Sequence, residues 1–295
     1  MIFPLRILAF GLLAGTLLWS HSSPPSAHLW PLFPVEPTGS THALASQKIG
    51  PGGDWSKAAT LAFQLAPPFG QTDAPSNQRY RNALLWVAAT SEQGKDLPWA
   101  EWLLEERRSR PGFAAELFRA ARMALGVDLI PTADQMDKRD TPTPVRLAIH
   151  QFWWSLSPIH GRNKSGALLL RETPRSNDLH ARLISEVVAL SPSREAEELL
   201  TDFVLYTKGE ERARRIAIRS LGSRGARSSV PFLSSLVMSE NRNALLIKEA
   251  MLVIMQLSPD DGRKLLMELQ TDPSTQPMLS SFLQTLRKAN GLPIQ

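Results

Sequence analysis

From Asp54 to Ala289 the apolar residues return every three or four positions, and no convincing run alternates them with polar or β-branched neighbours. A chain patterned in this way buries its apolar side chains as stripes on helices, so the expected fold class is all-α. The periodic segments predict helices over Asp54–Ala66, Ser76–Ser91, Pro98–Arg108, Pro111–Leu125, Val145–Leu156, Asp178–Leu190, Ser193–Thr207, Glu210–Leu221, Ser228–Met238, Ala244–Leu257, Asp260–Gln270 and Gln276–Ala289. Asp, Ser, Asn and Pro punctuate the starts, and the expected stops are Gly126, Gly209 and Gly222. Short connections make successive helices antiparallel neighbours. Two connections are longer, Gly126–Pro144 and Ser157–Asn177; the second is the expected seam between an N-terminal helical region, 54–170, and a C-terminal region, 171–295.

The C-terminal region repeats itself. "ALSPSREAEELL", from Ala189, returns as "QLSPDDGRKLL", from Gln256, and "SLGSRGARSSVPFL", from Ser220, occupies the slot between them. The helices ahead of the three turns also align, as "ARLISEVVAL", "ARRIAIRSLG" and "IKEAMLVIMQL". Three helix-turn-helix units therefore cover roughly 178–270, and "PMLSSFLQTLRKA" supplies a terminal helix.

The central unit resembles a HEAT-type repeat as found in bacterial proteins, in which V-R-x-A-A-x-x-A-L-G leads through a turn to a helix carrying V-P-x-L. Ala213, Arg214, Ile216, Ala217, Leu221, Gly222, Val230, Pro231 and Leu233 stand where that pattern places its residues. The outer units carry Leu-Ser-Pro in place of Leu-Gly and have no counterpart of Pro231. The resemblance covers about the last 120 residues. It implies a right-handed α-solenoid of antiparallel helix pairs, in which each pair covers the apolar face of the next and an extended surface is left for a partner. On such a helix Ala213, Ile216, Ala217 and Leu221 form the packing stripe, while Arg212, Arg215 and Arg219 take the opposite face. Arg214 falls within the stripe and is expected to pair with a carboxylate of a neighbouring repeat.

The first residues carry a different signal. "MIFPLRILAFGLLAGTLLWSHSS" places Arg6 before an uncharged run from Ile7 to Trp19 and then small polar residues, the order of a secretory signal. Ser20-His21-Ser22 offers a small-x-small cleavage site and Ala43-Leu44-Ala45 a later one, while the apolar run falls short of the ~20 residues that cross a bilayer comfortably. Residues 1–22 are thus read as a cleaved signal or a retained anchor, with the body exported, either periplasmic or held at the cytoplasmic membrane facing the periplasm. Residues 23–53, rich in Pro and Gly, read as a linker. Within it Leu29, Trp30, Leu32, Phe33 and Val35 are apolar enough to dock on another surface, and Trp30 and Phe33 are candidate partner contacts.

Little in the chain points to chemistry. There is no cysteine, which excludes disulfides and thiolate zinc sites, and none of the six histidines stands one helical turn from another ligand. G-x-S-x-G, Walker and Gly-rich dinucleotide motifs are absent. "LPWAEWLLEERRSR" sets Glu101, Glu105 and Glu106 near Trp99 and Trp102, residue types that a glycan-cleaving enzyme uses as a raised-pKa acid beside sugar-stacking aromatics. The same spacing suits an amphipathic helix whose acids pair with Arg108 or Arg79. His150, beside Phe152, Trp153 and Trp154, is read as a core residue. A formal charge of +5 and the clusters at Arg107, Arg108, Arg110 and at Arg212–Arg227 attract anions. Export argues against nucleic acid and leaves anionic lipid or acidic cell-wall polymer as conceivable ligands. The expected function is a non-catalytic scaffold that binds another cell-envelope protein without cofactor or metal, with Arg215, Arg219, Arg224 and Arg227 as candidate contacts. The alternatives are an envelope glycan-acting enzyme with a Glu acid in the Trp-rich helix, and a peripheral protein binding anionic lipid.

Overall fold

The computed structural model describes residues 55–68, 71, 73–172, 178–207, 210–239, 243–271 and 277–290. Among them every regular element is helical and there is no strand. The expected signal or anchor and the linker, with Trp30 and Phe33, lie outside the described residues. The described chain divides after Arg224 into two compact units.

The first unit contains α1 (Trp55–Gln64), α2 (Pro75–Thr90), α3 (Trp99–Ser109), α4 (Pro111–Leu125), α5 (Ile130–Met136), α6 (Thr143–Leu156), α7 (Pro158–Arg171), α8 (Leu179–Glu186), α9 (Arg194–Tyr206) and α10 (Glu211–Ser223). The second contains α11 (Val230–Met238), α12 (Ala244–Leu257), α13 (Pro259–Thr271) and α14 (Pro277–Ala289). Proline occupies the first or second position of α2, α4, α5, α6, α7 and α11, where its missing N–H costs no helical bond. Ser157 caps α7 by accepting from the His160 amide at 3.0 Å, and Asn243 caps α12 by accepting from the Leu245 and Leu246 amides. α4 ends at Gly126, whose φ of +55° is the conformation that residues with a Cβ avoid.

In the first unit α2, α4, α6, α8 and α10 form a row in chain order, each touching the next. A second row covers it, with α1 on α2, α3 on α4, α7 on α6 and α9, and α9 on α10. Alanine dominates the buried seams, as at Ala58, Ala62, Ala83, Ala88, Ala114 and Ala121, and lets helices approach closely. Leu84, Leu117, Phe118, Phe152 and Trp153 fill the volume between them, each large side chain contributing roughly 1.5–3 kcal/mol by leaving water. In the second unit α12 touches α11, α13 and α14, which explains why its sequence is apolar almost all round.

Two helices were not anticipated. α5 is only seven residues long, too short to show a period. α7 hides its stripe in small residues: its buried positions are Gly161, Ser165, Leu168 and Leu169, so the helix reads as a polar, glycine-containing loop. Because α7 touches both α6 and α9, the expected seam at 170/171 falls inside one compact unit. The division comes instead after Arg224, between the two helices of the stretch that most resembles a repeat, with α10 closing the first unit and α11 opening the second. The helix expected to end at Gly222 continues to Ser223, Gly222 is buried in its last turn, and the chain turns at Gly225 with φ +70°.

Candidate functional site

Arginine recurs on α4, α8 and α10 at positions that core burial leaves over, whereas α6 is buried at every residue from Val145 to Trp154. α4 buries Phe113, Ala114, Leu117, Phe118 and Ala121, so Arg119 and Arg122 stand one turn apart on the face that remains. α8 buries Leu179, His180, Leu183 and Ile184 and leaves Arg182, Ser185 and Glu186; α10 buries Ala213, Ala217, Ile218 and Leu221 and leaves Arg212, Arg215 and Arg219. These side chains are linked. Arg119 Nε donates to Gln151 Oε1 on α6 at 3.4 Å, and burial lowers the pKa of Arg119 while the charges of Glu116 and Glu186 oppose that shift. Arg122 is lowered by burial as well. Arg182 forks onto Glu186 at 2.7 and 3.1 Å and also feels Asp178, which in turn receives Arg212 at 3.3 Å. Gln151, the partner of Arg119 on α6, is 6% exposed.

The residues expected from the sequence fall into three groups. Arg215 is half-buried and Arg219 exposed, both on the face just described. Arg227 is exposed at the start of the second unit. Arg224, by contrast, is turned inward: its guanidinium donates to the carbonyls of Ala189 at 3.2 Å and Ser193 at 2.7 Å, and to that of Ser191. Its guanidinium thus holds three main-chain acceptors within the first unit. Arg214 likewise binds a carbonyl, Val204 O, at 3.1 and 2.9 Å, in place of the expected carboxylate. Of the packing residues Ala213, Ala217, Leu221, Gly222, Val230 and Leu233 are buried, Ile216 is half-buried and Pro231 is exposed at the start of α11. Ile218, not selected from the sequence, is fully buried: α10 is rotated so that 213, 217, 218 and 221 face the core.

A second constellation was missed because one of its members sits on α7. Asp137, following α5, His150 on α6 and Ser165 on α7 form an acid–imidazole–hydroxyl line, a set of groups that in other settings activates a nucleophile. Its burial identifies its work here. Trp154 Nε1–H donates to Ser165 Oγ at 2.9 Å, and Ser165 in turn lies 3.0 Å from His150 Nδ1. The other ring nitrogen, Nε2, faces Asp137 Oδ2 at 3.6 Å. Arg146 donates to the other oxygen of Asp137 at 3.2 Å and forks onto Glu172 at 3.1 Å. Burial would raise the Asp137 pKa, but His150 and Arg146 hold it down at about 2. Ser165 and His150 are each 0% exposed, so the hydroxyl meets protein only and the line fastens α5, α6 and α7 together. One element further on, His180 donates through Nδ1 to Glu210 at 2.8 Å, while burial lowers its pKa below the ordinary value.

The Trp-rich helix also resolves into packing. Trp99 is 1% exposed, donates Nε1–H to Gly94 O at 2.6 Å and meets Trp102 edge to face at 5.5 Å. Trp102 and Phe113 both pack edge-on against Phe63. Glu106 binds Arg110, whose hydrogen bond lowers its pKa, the opposite of what a general acid needs. Glu101 and Glu105 are exposed, and Arg108 pairs with Asp140 rather than with either. Among the described residues no group of three acidic, histidine or cysteine side chains is placed to hold a metal ion, and no helix is long and apolar enough to cross a membrane.

With the fold and this geometry in hand, comparison with known proteins adds no kinship. Neither a family model, nor a curated protein, nor a solved structure matches the chain.

Proposed function

We propose that this protein is a non-catalytic binding scaffold of the α-solenoid kind, exported and facing the periplasm, which holds another cell-envelope protein along the arginine-bearing faces of α4, α8 and α10. The observation that carries this reading is the row of alternate helices running in chain order, with arginine-bearing faces on α4, α8 and α10 along it. Repeating helix pairs generate such faces, and protein partners use them through complementarity distributed over several elements. The solenoid reading draws further support from the HEAT-like spacing of Ala213 to Leu233, and the export reading from the charge and apolar order of residues 1–22. The inward use of His150, Ser165, Trp99 and Glu106 favours binding over catalysis.

The test is site-specific photocrosslinking in cells of origin. A benzoylphenylalanine at Ser185, exposed on α8, is expected to capture one protein in near-stoichiometric amount, and the same group at Arg194, exposed on α9 of the other row, is not. Mass spectrometry of the bait's N-terminus in the same sample reads whether residues 1–22 remain. Capture of only lipid or glycan at Ser185 would sink the scaffold reading.

A further inference from the structure

We infer that His180 is an acid-operated latch: a proton on its imidazole releases the first turn of α8 from the first turn of α10 while the rest of the first unit stays folded. The inference concerns how the fold responds to its surroundings, and it stands whether or not the scaffold reading holds.

The latch is a cluster of groups at one joint. His180 lies in the first turn of α8, and Glu210 is the residue that precedes α10. His180 is 0% exposed and donates through Nδ1 to the carboxylate of Glu210, whose two oxygens lie at 2.9 and 2.8 Å. Phe203 of α9 packs edge to face against the ring, with 5.9 Å between centroids. The other nitrogen, Nε2, is also buried and has no hydrogen-bond partner among the described residues. Neutral imidazole tolerates this, because Nε2 then carries only a lone pair. Imidazolium does not: the added N–H is a charged donor sealed from water with no acceptor, and satisfying it requires the ring to leave its seat. The charges that face the ring are Glu210 and, just past the end of α7, Glu172, which favour the proton, and Arg146 of α6, which opposes it. Burial outweighs the two carboxylates, so the seated ring is harder to protonate than a free one.

His150 supplies the contrast. It is equally buried, but Ser165 Oγ lies 3.0 Å from its Nδ1 and Asp137 Oδ2 3.6 Å from its Nε2, so a proton on either nitrogen meets an oxygen. At the α8–α10 joint, a second pair between the first turns, Asp178 with Arg212 at 3.3 Å, is solvent-exposed and holds weakly. One turn further on Leu183 and Ile184 are fully buried, which confines the opening to the start of the helix.

The test is hydrogen–deuterium exchange of the full-length protein at pH 7.5 and 5.5, resolved to single residues and expressed as protection factors so that the intrinsic pH dependence of exchange cancels. The reporters are the amides of Arg182 and Arg214, which donate to Asp178 O and Glu210 O at 2.9 Å and lose those bonds when the first turns part. The control is the amide of Gln78, placed alike in α2, whose first turns are fastened to α4 by Gln78 and Arg81 on Glu116 without an imidazole. One proton taken up with an ordinary pKa of about 6.5 in the open state raises opening at most about tenfold over this interval. Protection at Arg182 and Arg214 is expected to fall severalfold within that bound at pH 5.5, with Gln78 unchanged. His180→Asn, which keeps an N–H near the place of Nδ1 and cannot titrate, is expected to abolish the fall. Unchanged protection at Arg182 in wild type, an equal fall at Gln78, a fall beyond tenfold or a fall that survives in His180→Asn would each overturn the inference. Should the urea midpoint show that His180→Asn does not fold, carbon-13 NMR of the His180 ring in wild type decides. Titration below 6.5 in step with the loss at Arg182 supports the latch, and titration at or above 6.5 overturns it.

Discussion

Asp137 shows how a single buried carboxylate sets the acid limit of this fold. Its folded-state pKa of about 2 lies below the ordinary 3.8, so the unfolded chain binds the proton more tightly. The stabilisation is therefore complete above about pH 4 and is lost as pH falls toward 2, and the shift corresponds to about 2 kcal/mol. Asp137→Asn should lower stability near neutral pH and flatten the decline between pH 4 and 2, a difference read by urea midpoints measured across that range. His180 acts in the opposite chemical sense with the same sign. Burial depresses its pKa, so the unfolded state protonates first and stability falls as pH drops below about 6.5. Both groups were visible in the sequence as residues, but the network behind Asp137 was not: Ser165, which meets His150, and Glu172, which meets Arg146, belong to a helix and a helix end that carry no apolar period.

At the scale of the element, the contact between α6 and α7 depends on Gly161. A Cβ built there would lie 2.2 Å from Trp154 Cδ2, and the indole cannot retreat without giving up its bond to Ser165. Gly161→Ala is expected to cost roughly 1–3 kcal/mol by overpacking, seen as a lower urea midpoint with unchanged slope. α10 offers a paired test of orientation. Ile218 is 0% exposed and Ile216 only half-buried, so Ile218→Asp should destabilise by several kcal/mol and clearly more than Ile216→Asp, through an uncompensated buried charge. Equal losses would mean that α10 is rotated otherwise in solution. Helix limits such as Pro111–Leu125 and Ala244–Leu257 were legible to the residue, because proline, asparagine and glycine mark them and the stripe between is apolar. The rotation of α10 was not, since isoleucine at 216 and at 218 satisfies the pattern equally and only the neighbouring helices choose between them.

At the scale of the whole molecule, two compact units joined after Arg224 predict that unfolding departs from a single two-state step. Calorimetry should return a calorimetric enthalpy larger than the van't Hoff value, and Gly161→Ala should move only the transition of the first unit. That the chain is all-helical could be read from periodicity alone, whereas the place of its division could not, because the helices on either side of the turn at Gly225 carry the best-matched repeat pattern in the chain. The arginine that ends the first unit has a further effect. Arg224 grips the main chain at Ala189, Ser191 and Ser193, as Arg214 grips Val204 and Arg81 and Arg110 grip Leu65 and Phe63. A carbonyl oxygen is present whatever side chain its residue bears. Fastenings of this kind let the gripped positions drift through many substitutions while the junction stays shut, so two such chains can keep the same joints and lose nearly all trace of a common spelling.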